Sequence, residues 1–523
     1  MAVLEWTLAL LLGAVLLAAL ARRIGAPSPA LLALGGVSVA LLPNGPRFSL
    51  DPDLALALFV APVLLDAAFD SSLRDLRANW FPLTSLILIA VSVTTGAVAL
   101  AARWLVPAMP WAVAITLGAL VAPPDAAAAT AVLKEVRLPH RLLVILEGES
   151  LLNDASALLI YRLAVGAALA HDGTNLGMAS TLALVLLGSV AIGVLLAFVF
   201  GNVIGRFSDV PSSIIMQFIG AFGVWIIADR LHLSGVLAIV TFAVILSRRP
   251  PIQMPAVVRV PSYAVWETVV FLLNALAFVM IGLQIGPILS RVDSLQRLHM
   301  LTFAAAVTVT VIAARAGWVM IYNRTLWTIN RILGRRTPQA LIAPSLKRSA
   351  VVAWCGMRGL VTLAAALALP DGSNGGMAFP YRDLIVLSAF SVVLGTLVLQ
   401  GLTLRPLVLA FGFEDDDAIE AEVRTGREQM LRAALASLGE VDTKAAAALY
   451  HEYEELLERA DSSSALLPEV RKAEEALRAR AWAASRERLG QLRLTGAIGD
   501  PAFQLLEAEL DRFELDTEVR SRW

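Results

Sequence analysis

Nine charged residues lie inside otherwise apolar stretches of this chain: Asp66, Asp125, Glu147, Glu149, Asp154, Arg162, Glu267, Arg315 and Arg358. A charge at the centre of an apolar membrane helix costs about 2.5–3.5 kcal/mol on insertion scales, so each needs a partner, a proton or a watery cavity. The densest group is Glu147-Gly148-Glu149-Ser150-Leu151-Leu152-Asn153-Asp154. On a helix, a spacing of four sets Ser150 and Asp154 on one face, with Glu149 and Asn153 on the adjacent stripe. Asp154, Asn153 and Ser150 together with Asp125 supply two carboxylates, an amide and a hydroxyl, the oxygen ligands that a hard monovalent cation such as Na+ prefers. Burial disfavours the charged form of a carboxylate. A carboxylate so placed takes a proton or a cation by turns, which is the minimal chemistry of an antiporter. For Glu149 the plainer reading is a buried structural pair with an arginine.

The elements that must hold these groups are membrane helices. Of 523 residues, 58% are hydrophobic and 16% charged, and the mean hydropathy is +0.73. Soluble domains carry about a quarter charged residues. The composition therefore points to an all-α polytopic membrane protein and excludes a soluble multidomain enzyme, a nucleic-acid binder and a disulfide scaffold. The single cysteine, Cys355, allows no internal disulfide. The N-terminus does not read as a cleavable signal, because Glu5 precedes the first apolar run and Arg22 and Arg23 follow it.

Thirteen segments read as spans, near 3–21, 29–43, 54–69, 81–102, 110–133, 142–170, 179–205, 212–228, 231–247, 264–286, 300–323, 349–370 and 383–411, the second and third being short. With the N-terminus outside, the cytoplasmic loops carry 17 Lys and Arg and the external loops 6, the bias expected of the positive-inside rule. The C-terminus is then cytoplasmic. Pro123-Pro124-Asp125 breaks the fifth span and Gly356-Met357-Arg358-Gly359 the twelfth. Breaks seven spans apart lie in oppositely directed helices, the pattern of a transporter built from two inverted repeats.

Residues 1–412 carry a net charge of +9 and residues 413–523 of −10. The boundary near Gly412 separates a membrane domain, 1–412, from a cytoplasmic helical domain, 413–523. The tail opens with Glu414-Asp415-Asp416-Asp417 and continues in Ala- and Leu-rich helical stretches such as 471–489. It shows no metal motif, phosphate loop or catalytic triad, so no enzyme activity and no cofactor is expected. Of the five histidines, His140 lies in a basic loop where it could sense pH; the simpler reading is a solvated side chain.

Gly-Glu-Ser-Leu-Leu-Asn-Asp at 148–154 resembles the signature of cation:proton antiporter family one, which includes NhaP-type Na+/H+ antiporters and sodium/hydrogen exchangers. Further matches are Pro-Pro-Asp-Ala-Ala-Ala-Ala-Thr-Ala-Val at 123–132, residues 271–284, and Trp-Cys-Gly-Met-Arg-Gly-Leu-Val-Thr-Leu at 354–363. The resemblance implies thirteen helices, a homodimer in the lipid of the plasma (prokaryotic inner) membrane, and a core of spans four to six and eleven to thirteen that moves against a scaffold. By similarity, Asp154 binds cation and proton in turn, with Asn153, Asp125 and Ser150 beside it and Asp66 gating the path. An Asn-Asp pair implies electroneutral exchange. Glu149 is expected to pair with Arg315, and Arg358 of the second break is the runner-up. Many relatives have Thr-Asp-Pro at the first break; here it is Pro124-Asp125-Ala126, so a threonine ligand is missing, a backbone carbonyl freed by the prolines is the expected substitute, and the choice among Na+, K+ and Li+ is left open. The rival class is a transporter-like receptor signalling through the tail, and a third is a channel, for which no repeated filter loop is visible.

Overall fold

The computed structural model describes residues 2–42, 52–125, 138–169, 175–247 (save 205 and 208), 256–286, 297–333, 345–370, 378–413 and 418–438, with isolated positions elsewhere. Most of the second half of the fifth span beyond residue 125, the acidic run at 414–417 and most of the helical stretch expected at 471–489 lie outside the described residues. Among those described, every regular element is helical. The chain divides into two compact units, Met1–Asp415 and Asp416–Trp523.

Among the described residues, seven helices are long and apolar enough to cross a membrane: Glu5–Ile24, Trp80–Leu105, Ala183–Val203, Val210–Arg230, Val258–Leu283, Arg297–Ile329 and Arg382–Phe411. Four shorter apolar helices, Ser28–Ala40, Leu56–Phe69, Trp111–Val121 and Gly235–Leu246, fall where the second, third, fifth and ninth spans are read. The sixth is one 30-residue helix, His140–Leu169, whose acids lower its hydropathy. The twelfth is two pieces, Leu346–Trp354 and Leu360–Leu367, separated by residues 355–359. Short or broken spans need neighbours to cover their ends, and on or beside the fifth and twelfth spans Thr116, Leu117, Ala366, Ile385, Val392 and Thr396 are fully buried.

Six helices position the site, labelled here in chain order. They are α1 (Trp80–Leu105), α2 (Trp111–Val121), α3 (His140–Leu169), α4 (Arg297–Leu333), the twelfth span's halves α5 (Leu346–Trp354) and α6 (Leu360–Leu367), to which α7 (Arg382–Phe411) adds a wall. Their apolar faces share one hydrophobic cluster, which includes Val98, Leu117, Ile145, Val307, Val351, Ala366 and Leu397. A second cluster gathers Ala61–Asp70 with the eighth and ninth spans around Val224, Trp225, Ile239 and Phe242. Helix α3 belongs to both, through Ile145 and Leu151 respectively.

Among the described residues, two segments depart from α geometry: Leu56–Val60 in the third span and Ser85–Ala90 in α1 are π-helical. Such wide turns are frequent at functional sites. The second receives α3, because the Ser156 hydroxyl donates to the carbonyl of Ile87 at 2.8 Å. Close approach also depends on small residues: a Cβ at Gly118 would strike the backbone of Thr95, which is what lets α1 and α2 lie together.

Candidate functional site

Helix α3 is the element on which the site is built. Four side chains along it reach four neighbours. Glu149 meets Arg315 of α4, Asn153 meets the fifth span's break, Ser156 meets α1, and the Tyr161 hydroxyl donates to Ala365 of α6 at 3.1 Å. Gly148 permits the docking of the short helix Leu73–Ala78, since a Cβ there would strike Leu76 and Leu83.

The two breaks touch. The backbone N–H of Asp125 donates to the carbonyl of Met357 at 2.6 Å. The Asp125 carboxylate lies against Gly359, whose backbone begins α6; a Cβ there would overlap Asp125 Oδ2. A helix N-terminus carries partial positive charge, so Asp125 faces the end of α6 with the favourable sign. The opposite ends are served by arginines. Helix α2 ends at Val121, and Arg358 donates from Nε to the carbonyl of Val121 at 2.9 Å and from Nη2 to that of Ala122 at 3.0 Å. Its Nη1 reaches the carbonyl of Gly356. Helix α5 ends at Trp354, and Arg315 donates from Nη2 to the carbonyl of Val352 at 3.0 Å. The last carbonyls of a helix have no intrahelical partner and carry partial negative charge, and each guanidinium satisfies both needs.

Arg315 is also the partner of Glu149. Its Nη1 and Nη2 reach Oε1 at 2.5 Å and Oε2 at 2.9 Å, a two-pronged pair with both side chains almost fully buried. Arg358, the alternative partner read from the sequence, instead serves carbonyls. Both arginines sit beside Gly356, where a Cβ would strike the Arg315 and Arg358 side chains.

Asn153 is completely buried and Asp154 is 9% exposed, whereas Asp125 and Ser150 are half-buried. Asp125 and Asp154 are close enough to repel one another electrostatically. The Asn153 amide donates from Nδ2 to the carbonyl of Pro124 at 2.8 Å. That carbonyl, available because proline disrupts the helical ladder, therefore has one lone pair committed to Asn153. With Nδ2 so held, Asn153 Oδ1 is buried without a hydrogen-bond partner. A buried acceptor left unmatched costs about 1–3 kcal/mol, a cost that a bound cation would remove. Asp66 is half-buried on Ala61–Asp70, which packs on Gly235–Leu246 and also touches α3. Arg162 and Glu267 are exposed and join none of these contacts.

Sequence reasoning expected a carbonyl freed by the prolines but missed those of Val121, Ala122, Val352 and Met357, and Thr396, which accepts the Arg358 backbone N–H at 3.0 Å. Peptide groups leave no mark in a sequence. The signal for Thr396 would have been a hydroxyl inside an apolar span, a signal shared by other residues of the same helix. At the end of α3, His140 Nε2 lies 3.3 Å from Asp75 Oδ2. Beside it Arg141 donates from Nε to Asn79 Oδ1 at 2.5 Å.

The transmembrane domain of the sodium/hydrogen exchangers matches residues 8–410. An uncharacterised Na+/H+ exchanger of Mycobacterium bovis is 31% identical over 95% of this chain and 93% of its own length. A sodium, potassium, lithium and rubidium/H+ antiporter of Bacillus subtilis is 27% identical over 94% of this chain and 74% of its own. Among solved structures, the sodium proton antiporter MjNhaP1 of Methanocaldococcus jannaschii superposes with a TM-score of 0.60 over 77% of this chain and 100% of that one, at 18% identity. At that identity the likeness is one of fold.

Proposed function

Because the chain belongs to the sodium/hydrogen exchanger family, we propose that it exchanges a monovalent cation for a proton by alternating access, with Asp154 holding each in turn. Na+ is the first candidate cation, with K+ and Li+ as others. Asn153, Asp125 and Ser150 contribute oxygen ligands, and Asp66 gates the path. The observation that carries the reading is Asn153 Oδ1: buried, unpartnered and fixed in direction by the bond from Nδ2 to Pro124. It is an acceptor prepared for a ligand, next to a nearly buried carboxylate. A receptor that only signals would need neither feature.

In this mechanism the cation shields the mutual repulsion of Asp125 and Asp154. When it leaves, a proton on Asp154 removes the charge that burial penalises. Empty of both, the site carries an exposed cost against moving, so the core crosses only when loaded. Asn153 has no titrating proton in the physiological range. One cation therefore exchanges for one proton and no net charge moves. Glu149 is committed to Arg315 and Asp125 to the helix end, so neither shuttles protons.

Residues 1–412 form the transport domain and 413–523 a cytoplasmic helical domain. The protein works as a homodimer in the plasma (prokaryotic inner) membrane, N-terminus outside, and serves pH homeostasis. Support for this orientation comes from the loop charges.

The test is proton flux, followed with a pH-sensitive dye in proteoliposomes on addition of Na+, K+ or Li+. Wild-type protein should exchange, and Asp154→Asn, which keeps the shape but not the titrating charge, should not. Normal exchange by well-inserted Asp154→Asn protein would overturn the mechanism. Clamping the liposomes at opposite potentials with potassium and valinomycin, with Na+ or Li+ as substrate, should leave the steady-state cation gradient unchanged. A net charge moved would bias it by about 2.3 kcal/mol per 100 mV.

A further inference from the structure

Four hydrogen bonds at the crossing form a single line. Asn153 Nδ2 donates to the carbonyl of Pro124 at 2.8 Å. The N–H at the other end of that same peptide bond, on Asp125, donates to the carbonyl of Met357 at 2.6 Å. The N–H at the other end of the Met357–Arg358 peptide donates to Thr396 Oγ1 at 3.0 Å. The Thr396 hydroxyl then donates to the carbonyl of Val392 at 2.7 Å. Every donor points the same way, from α3 through both breaks to α7. Each peptide accepts at its oxygen and donates at its nitrogen, so each bond polarises the next, by roughly 10–30% per bond.

Thr396 is fully buried at the far end of this line. Its bond to Val392 is ordinary for the helix: Ser388 and Thr403 also donate to carbonyls one turn back. What sets Thr396 apart is the bond it accepts. In a broken span the N–H of Arg358 has no helical carbonyl to find, and Thr396 supplies the acceptor. That fixes the plane of the Met357–Arg358 peptide, whose carbonyl fixes the Pro124–Asp125 peptide, whose carbonyl in turn holds the Asn153 amide. An amide that donates from its nitrogen leaves more negative charge on its own oxygen, and Asn153 Oδ1 is the atom without a partner.

We infer that Thr396 is a positioning residue for cation binding: it touches no ion, and it anchors the hydrogen-bonded line that orients Asn153 and Asp125. The inference rests on the reading of those two residues as cation ligands. Thr396→Val keeps the side chain's shape and removes the acceptor; Thr396→Ser keeps the acceptor. In proteoliposomes Thr396→Val should raise the cation KM about three- to tenfold, the scale of one lost hydrogen bond. The maximal rate should change by less than about twofold, as for a change in ground-state binding alone. Thr396→Ser should restore the wild-type KM. Thr396→Ala serves the same purpose should the valine variant fail to assemble.

An unchanged KM in Thr396→Val, or an equal rise in Thr396→Ser, would overturn the inference. So would a loss of thermal stability in the valine and alanine variants with KM unmoved, which would make Thr396 a packing residue. Asp154→Asn is assayed alongside. Exchange surviving in that variant would overturn the underlying reading of the site, whereas its loss together with an unmoved KM in Thr396→Val would overturn only the role of Thr396.

Discussion

At the break in the fifth span, Pro123 and Pro124 remove backbone donors; at the break in the twelfth, Gly356 and Gly359 remove side chains. The first break brings an acid, Asp125, and the second a base, Arg358. Each is used by the other. Arg358 covers the carbonyl end of α2, and Asp125 lies at the amide end of α6. The third open end, that of α5, is covered from outside the pair by Arg315, and this is the end that needs a further acid, Glu149. The difference is one of charge balance. Arg358 and Asp125 offset one another across the crossing, while Arg315 has no counterpart among the break residues and takes its acid from α3. Glu149 thereby ties the helix that carries Asp154 to the second break. The acid of the ion pair and Asp154 thus share helix α3.

The largest effect should come from unbalancing that external clamp. Leaving one charge of a buried pair alone costs about 3–5 kcal/mol. Glu149→Gln and Arg315→Met should each lower the melting temperature of detergent-purified protein sharply. The double variant should lose clearly less than the two losses combined. Strict additivity in this cycle would mean that the two side chains do not act as a pair. Arg315→Met should be the worse single change, because it also strips the cover from Val352.

The glycines sharpen the contrast next. At Gly359 the backbone has φ −134° and ψ −153°, open to any residue, so only space opposes a side chain there. Its added Cβ would overlap the short, fixed Asp125 carboxylate, whereas at Gly356 it meets two long arginine side chains. Overpacking of this kind costs typically about 1–3 kcal/mol. Gly359→Ala should therefore depress exchange strongly at unchanged expression, and Gly356→Ala less, since long side chains yield more readily. The reverse order in the flux assay would mean that the second break is held by Arg315 more tightly than by Asp125.

How much of this could be read from the chain depends on what each contact costs in the membrane. Asp125, Glu149, Asp154, Arg315 and Arg358 stand out because a charge in an apolar run demands a reason. The two breaks stand out because adjacent prolines remove helix donors beside one charge and two close-set glycines flank the other. The bond between Glu149 and Arg315 joins residues 166 apart in sequence, and family resemblance, not spacing, named it. The acceptors of the two arginines are peptide carbonyls, identical in every residue, so nothing in the sequence distinguishes Val121 or Val352. The π turns at Leu56–Val60 and Ser85–Ala90 are equally silent, since their residues read as ordinary apolar helix. His140, read most simply as a solvated side chain, is tied to Asp75.

That last pair provides the smallest effect and a control for the role of burial. One member, His140, sits on the same helix as Glu149 and the other on the short helix Leu73–Ala78 docked against it, and their side chains are 34% and 17% exposed against 3% and 2% for Arg315 and Glu149. Burial pushes the Asp75 carboxyl up, but hydrogen bonds from Ser72, His140 and Arg74, with the Arg74 charge, outweigh it and hold the group below its ordinary value of 3.8. A depressed carboxylate contributes stability that is fully present above the unfolded value. It is lost as pH falls through the lower folded value. Asp75→Asn should therefore be slightly less stable than wild type at neutral pH, by about 0.2–1 kcal/mol as for other exposed pairs. The two melting temperatures should converge as the pH falls from about 4 through the lower folded value, below which Asp75 carries its proton in both states. If pairing alone set the strength of these contacts, Asp75→Asn would cost as much as Glu149→Gln. A gap of several kcal/mol between the two, measured for two ion pairs of helix α3 in one protein, assigns the difference to the water that reaches Asp75 and not Glu149.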